Sequence, residues 1–406
     1  MYNSFAARNT DAAKRVIDRS KKQKGRKTLK QRIYKYDNVK ALLIFLVVLG
    51  HMTTDYVSDS QIIRWTTLWI YTFHMPAFIF ISGLVHKHYI TAEKASLGIK
   101  GETRMRWDKV IGFFLCGYGL KVFLQFTRTL MGQNPIWHWI EEPGIPWYLF
   151  VMAEYEMLFY LMRRIDEKVK PWIMITGAFA LSAAIGYFPS VGDTFCLSRM
   201  INFLPIYMLG YYMDMKEFLG FIEKRKYRIL GWAGIAVSMV ICRSGNWGMY
   251  SWRKWFTGRR SYKYLQQFFS YAYDNGWWIR LAVWAVAIAI TLSVIAVIPD
   301  KDMGFITTIG SRTLNVYFWH RPLCYLFRNW AILPKLCVMF GGTYNASVAG
   351  MKHGLAFGGS PLSMVAAYAV YILIAAAMTA FFSLSIFDHP CSDLMKFGAW
   401  ITRRTR

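Results

Sequence analysis

A lysine, ten intervening residues and a histidine open the first apolar run of this chain, in KALLIFLVVLGH (Lys40 to His51). That spacing is about three helical turns, so the two side chains share one helix face roughly 16 Å apart. Asp37 lies one turn before Lys40 on nearly the same stripe. Ionisable groups on an otherwise apolar span are costly, and usually line a cavity or a pathway rather than lipid. Each also has a plainer reading. Lys40 can snorkel to the headgroups, and His51 can be a histidine hydrogen-bonded between packed helices.

Two more histidines and a carboxylate reach a similar depth by residue counting. His74 stands in YTFHMPAFIFISG, His320 in NVYFWHRP, and Glu154 in a run that begins near residue 146. At ~1.5 Å per residue, Glu154 lies about 12 Å below the outer surface. Four groups from four helices predict one polar chamber in the outer half of the membrane, with His51, His74, His320 and Glu154 as candidate catalytic residues. Pro76 and Gly83 interrupt the second span, which is tolerated where backbone lines a cavity. The chemistry that suits such a chamber is general base catalysis, in which an imidazole takes the proton of a hydroxyl attacking an activated carbonyl. The chain has no G-x-S-x-G elbow in a strand–helix context, no HExxH and no phosphate-cradling glycine loop. An activated acyl donor is therefore expected as a cosubstrate. The cysteines (116, 196, 242, 324, 337, 391) are scattered without metal spacing, so no metal is expected.

The elements that must hold these groups are apolar helices. Of 406 residues 55% are apolar and 18% charged, against roughly 25% charged in a soluble domain. Runs of about 18 or more apolar residues, each long enough to cross a ~30 Å hydrocarbon core, recur along the chain. They predict an all-α, polytopic membrane protein with about ten spans, near 38–57, 65–86, 108–130, 146–164, 171–188, 199–214, 227–243, 279–298, 305–332 and 362–387. The division expected is a basic tail (1–37), a transmembrane domain (38–390) and a basic C-terminal tail (391–406). The net charge of +26 is carried mostly between spans and in the tail, so topology and anionic membrane lipids explain it better than nucleic acid. The tail, the 87–109 segment, Arg163–Lys170, EKRKYR and ITRRTR fall on one side, which the positive-inside rule makes the cytoplasm, with both termini. One loop dissents. Residues 244–278 carry RKWFTGRRSYK yet fall outside; their Trp, Tyr and Arg suit either stacking on sugars and gripping polyanions or an interfacial aromatic belt.

KALLIFLVVLGH followed by FHMPAFIFISG resembles the opening of the acyltransferase 3 family, whose hallmark is a basic residue, ten residues and a histidine on the first membrane helix. Lys40 and His51 match it, with Lys where Arg is commoner. PWYL (Trp147), RMINFLPIYMLGYYM (Arg199 to Met213) and IGSRTLNVYFWH (through His320) follow in the family's order. The wording is most similar to the fucose 4-O-acetylase-like and exopolysaccharide O-acetyltransferase branch. The resemblance implies an acetyl-CoA (acyl-CoA) donor from the cytoplasm, a glycan or glycolipid acceptor, a plasma-membrane location and His51 as the catalytic histidine. It further implies Lys40, with Arg104 and Arg106 at the approach, holding the CoA end, and Trp147, Arg199 and Arg321 on the acceptor side, where His320, Arg321 or Arg199 also stands available to an oxyanion. The Asp that many members carry before the second-span SG is missing; His74 occupies that neighbourhood. The rival expectations are a transporter or flippase of a lipid-linked sugar and a structural or sensory membrane protein.

Overall fold

A computed structural model describes residues 33–97, 105–142, 144–166, 168–351 and 355–404. The expected basic tail lies outside them except for its last residues, and so does Arg104. The helices in chain order are α1 (Tyr34–Thr53), α2 (Gln61–Leu97), α3 (Trp107–Leu130), α4 (Trp147–Asp166), α5 (Pro171–Ile185), α6 (Leu197–Tyr212), α7 (Met215–Ile222) and α8 (Arg225–Cys242). Three short helices follow, α9 (Trp247–Ser251), α10 (Arg253–Phe256) and α11 (Tyr262–Leu265). The chain then continues through α12 (Gly276–Val297), α13 (Phe305–Ser311), α14 (Thr313–Asn329), α15 (Ile332–Met339), α16 (Pro361–Phe382) and α17 (Cys391–Arg404). The strands among the described residues are a two-residue antiparallel pair, Thr343–Tyr344 with Phe357–Gly358.

A helix stands at each of the ten expected segments, but among the described residues length and composition qualify five as membrane spans: Tyr34–Tyr56, Gln61–Thr91, Trp107–Leu130, Gly276–Val297 and Pro361–Phe382. Arg225–Cys242 and Trp247–Phe256, bent by 117°, make a sixth if taken together. The count of about ten is not reached by this measure, for identifiable reasons. α5 and α6 are shorter than a full crossing, α4 carries Glu154, Glu156 and Arg163, and α14 carries Arg321 and Arg328. Such helices satisfy their backbone internally, and Glu154, Glu156 and Arg321 turn toward the bundle, while Arg328 stays exposed beside Asp55.

α1 is the central element. It packs on α2, α13, α14 and α16, and Leu43, Ile44, Val47 and Val48 on it are buried. Buried on most sides, it shows an apolar surface nearly all round rather than a stripe. α2 crosses α6 at a pair of glycines. A Cβ on Gly83 would lie 2.1 Å from the Tyr207 carbonyl oxygen, and one on Gly210 would lie 2.1 Å from that of Phe80. This reciprocal contact of small residues is how membrane helices approach closely where water supplies no hydrophobic drive. Gly310 does the same for α13, whose backbone rests on Asp37 of α1. Thus the SG, LGYY and IGS strings are packing contacts that hold α2 against α6 and α13 against α1. The described part of the expected C-terminal tail is α17, which lies along α3.

The loop that dissented from the charge rule folds back onto the bundle. Arg280 of α12 is fully buried and donates to the Trp255 carbonyl at 2.5 Å. Tyr262 is buried and donates through its hydroxyl to Ala183 O at 2.8 Å, and Arg259 grips Asp193 at 2.5–2.8 Å. A segment anchored this way is a wall of the molecule rather than a belt at its rim.

Candidate functional site

α1 and α14 bring two histidines face to face. The rings of His51 and His320 stack with centroids 5.4 Å apart and planes 28° from parallel. His320 is fully buried; its Nδ1 lies 2.9 Å from the Val316 carbonyl, one turn back, and its Nε2 has no hydrogen-bond partner. A carbonyl can only accept, so Nδ1 carries the proton and Nε2 presents a lone pair. His74 repeats the device, with Nδ1 2.7 Å from Ile70 O. Orienting an imidazole through a backbone bond at one nitrogen fixes what the other can do. Arg321, next to His320, donates to the backbone carbonyl of His51 at 3.0 Å, which ties the guanidinium to the histidine it adjoins.

His51 and His74 line a cavity of about 370 Å³. Trp147, Arg199 and Arg321 line it too, so all three residues expected on the acceptor side do meet the histidines. Arg199 stacks over the Trp147 ring at 5.1 Å, and that ring lies against Phe203 at 5.4 Å and 19°. The far wall comes from the folded-back loop: Arg253, Lys254, Arg259 and Arg260. Spacing along helices gives no access to these loop residues; the only sign of them was the composition of RKWFTGRRSYK. Burial first, then the neighbouring Arg259, holds the Arg260 guanidinium below its ordinary pKa, as expected where cations crowd together away from water.

Glu154 does not join this group. It faces α3 and the 139–142 and 195–196 segments, beside Lys121 and Cys196, and its Oε2 is buried without a partner. Residue counting speaks to height along α4 and not to direction around it, which is the quantity that decides contact. Lys40 lines neither this cavity nor the next one. Its Nζ forms an ion pair with Asp37 at 2.9 Å, one turn away, with its side chain 26% exposed.

A second cavity of about 280 Å³ lies between α1, α2, α4 and α14 on the side of the 87–109 segment. Arg106 lines it and approaches Glu156 at 3.6 Å; Glu156 also meets His86 Nε2 at 3.3 Å, while His86 Nδ1 and the Tyr207 hydroxyl are 2.6 Å apart. Glu156 and His86 thus belong to the site's surroundings although their spacing in sequence offered no sign of it. Ser82 and Tyr148 add a hydroxyl pair at 2.8 Å on the same lining. Val47, Met75 and Tyr317 line both cavities. The two chambers therefore abut across these three side chains, one turn of α1 below His51. Tyr317 is held in that partition by donating its hydroxyl to Ile145 O. The partition between the cavities thus lies one turn of α1 from His51, which lines the outer cavity only.

Residues 33–383 match the family model described as an acyltransferase domain. No curated protein and no solved structure matches the chain.

Proposed function

The chain belongs to the acyltransferase-domain family, and on that premise we propose that this membrane acyltransferase moves an acetyl group from cytoplasmic acyl-CoA to a hydroxyl of a glycan or glycolipid. The observation that carries this reading is the meeting of the two cavities at Val47, Met75 and Tyr317, directly beside the His51–His320 pair. The inner cavity, with Arg106 and Lys109 on its lining, receives the acyl-CoA; Lys40 serves its phosphates from outside the cavity, and Arg104, which lies beyond the described residues, keeps the same role on the strength of the resemblance. The thioester reaches through the partition. The outer cavity receives the acceptor, with its sugar against Trp147. Both termini are then cytoplasmic, the host membrane is the plasma membrane, and the fucose 4-O-acetylase-like branch is the nearest in kind.

In the reaction, a ring nitrogen of His51 takes the proton of the acceptor hydroxyl as its oxygen attacks the thioester carbonyl carbon. The carbonyl oxygen becomes an oxyanion, for which Arg321, tethered to the His51 backbone, is the adjacent cation. Collapse breaks the C–S bond, the CoA sulfur leaves with the proton returned by His51, and the new C–O bond is the product ester. A two-step route, in which His51 itself is acetylated before the sugar arrives, uses the same atoms.

The test is transfer of label from radiolabelled acetyl-CoA by purified full-length protein, to a glycan extract or slowly to water. His51→Ala is expected to lower the rate about 10²–10⁴-fold, the usual worth of a positioned base. Folded protein that neither binds nor consumes acyl-CoA would sink the reading and bring forward the transport of a lipid-linked sugar, which a passage made of two chambers also suits.

A further inference from the structure

Which acceptor the outer cavity takes can be argued from its charge and from what lies beside it; the argument rests on the transferase reading above. The lining carries Arg199, Arg253, Lys254, Arg259, Arg260 and Arg321 and no carboxylate. Asp193, nearby, engages Arg259 at 2.5 Å and Arg199 at 3.7 Å. Among the described residues Arg253, Arg260 and Arg321 form no ion pair, and Nε of Arg253 and of Arg321 is buried without a hydrogen-bond partner. Like charges held this close favour an anion among them, and guanidinium groups favour one with several oxygens in a plane or a tetrahedron.

Phe256 lines this cavity and also a second hollow of about 540 Å³. That hollow is almost wholly apolar, formed by Leu68 of α2, Val237 and Ile241 of α8, and Val286 and Ala289 of α12. It opens on the outside of the bundle, where Val237 and Ile241 are each 57% exposed, on helices that face lipid. A neutral glycan would need neither feature. A water-soluble anion would need the cations alone, and an uncharged lipid the groove alone; a phospholipid would engage both but has no sugar to set over Trp147.

We infer that the acceptor is a saccharide carried on a lipid phosphate or diphosphate. Its hydrocarbon tail lies in the groove between α2, α8 and α12, its phosphate passes Phe256 to Arg253 and Arg260, and its sugar extends over Trp147 to His51. The tail fixes the ligand in the membrane, and the cations hold its charged link one step from the chemistry. The product leaves by the same groove, sideways into the outer leaflet.

Native mass spectrometry of the full chain, released from phosphatidylcholine nanodiscs, tests this with farnesyl diphosphate, farnesol and inorganic diphosphate as probes. Farnesyl diphosphate is expected to be retained at least about tenfold better than either of the others. Arg253→Gln and Ala289→Trp, acting from the two ends of the ligand, are each expected to lower that retention about tenfold; Ala289→Leu repeats the second test with a smaller side chain. Inorganic diphosphate held equally well would overturn the lipid linkage, and farnesol held equally well would overturn the phosphate. Acetyl-CoA consumption in the same preparation separates the two readings. Turnover to water without retention of farnesyl diphosphate overturns this inference alone, whereas retention without any acetyl-CoA consumption overturns the transferase reading and leaves the lipid-phosphate site standing.

Discussion

At the scale of residues, the histidines divide by what their nitrogens do. His74 and His320 each spend Nδ1 on a carbonyl of the preceding turn, so they act as fixed acceptors, while His51 lies on the cavity with its ring against His320. His320→Phe keeps a flat ring beside His51 but removes the lone pair at Nε2. Steady-state kinetics on it should show a fall in kcat of about tenfold or more with KM for acyl-CoA little changed, because the change lies at the chemistry and not in the inner chamber. If Arg321 stabilises the oxyanion, Arg321→Gln should cost about 10²–10³ in kcat, and Arg321→Lys should recover only part of that, since an ammonium cannot both hold His51 O and face the cavity. The first motif, the three histidines, Trp147, Arg199 and Arg321 were all legible in the sequence, because a costly ionisable or amphipathic group inside an apolar run announces itself. Glu154 was misplaced and Lys40 only half read for one reason: counting residues gives height along a helix, but the direction a side chain takes around it depends on neighbours that no single sequence shows.

At the scale of elements, the glycines carry the positioning. The α2–α6 crossing places Met75 and His74 opposite Phe203 and Tyr207, and it exists only because Gly83 and Gly210 let two backbones touch. Gly83→Ala forces a methyl group onto the Tyr207 carbonyl, and a destabilisation of about 1–3 kcal/mol is expected, read as a lower unfolding temperature in detergent. Gly220, whose Cβ would meet nothing within 4 Å, is the matched control, and Gly220→Ala should leave that temperature unchanged or raise it slightly. The strings around these glycines were visible in the sequence as words of a resemblance, without the physical reason for them. The 244–278 loop was harder. Its short helices are fixed by Arg280, Ala183 and Asp193 from three other segments, and contacts of that range leave no periodic trace in a sequence.

At the scale of the whole molecule, the bundle is two chambers with a thin apolar partition. Val47→Trp fills the partition from α1 without touching either end. Equilibrium binding of CoA to the inner chamber should survive, while acetyl transfer should fall by at least about 10²-fold, since misplacing the reacting groups by about an ångström already costs that much; undiminished transfer would mean that the reactants do not meet across this partition. The fold class was readable from composition and run length alone, and the span count was not, because helices that bury charge inside a bundle stop resembling lipid-facing ones. The cations around the outer chamber also bear on the energetics of the host cell. If a thioester arm can thread that partition, sodium ions or protons following it would discharge the membrane's ion gradients. The six basic side chains around the outer cavity place a positive potential across that route, as arginine does in pores that refuse cations, and the Val47–Met75–Tyr317 constriction narrows it. Liposomes containing the Arg253→Gln, Arg260→Gln double variant should accordingly lose a pH gradient faster than those with the unaltered chain. The same charges that would grip an acceptor keep the cell's battery from running down through its own enzyme.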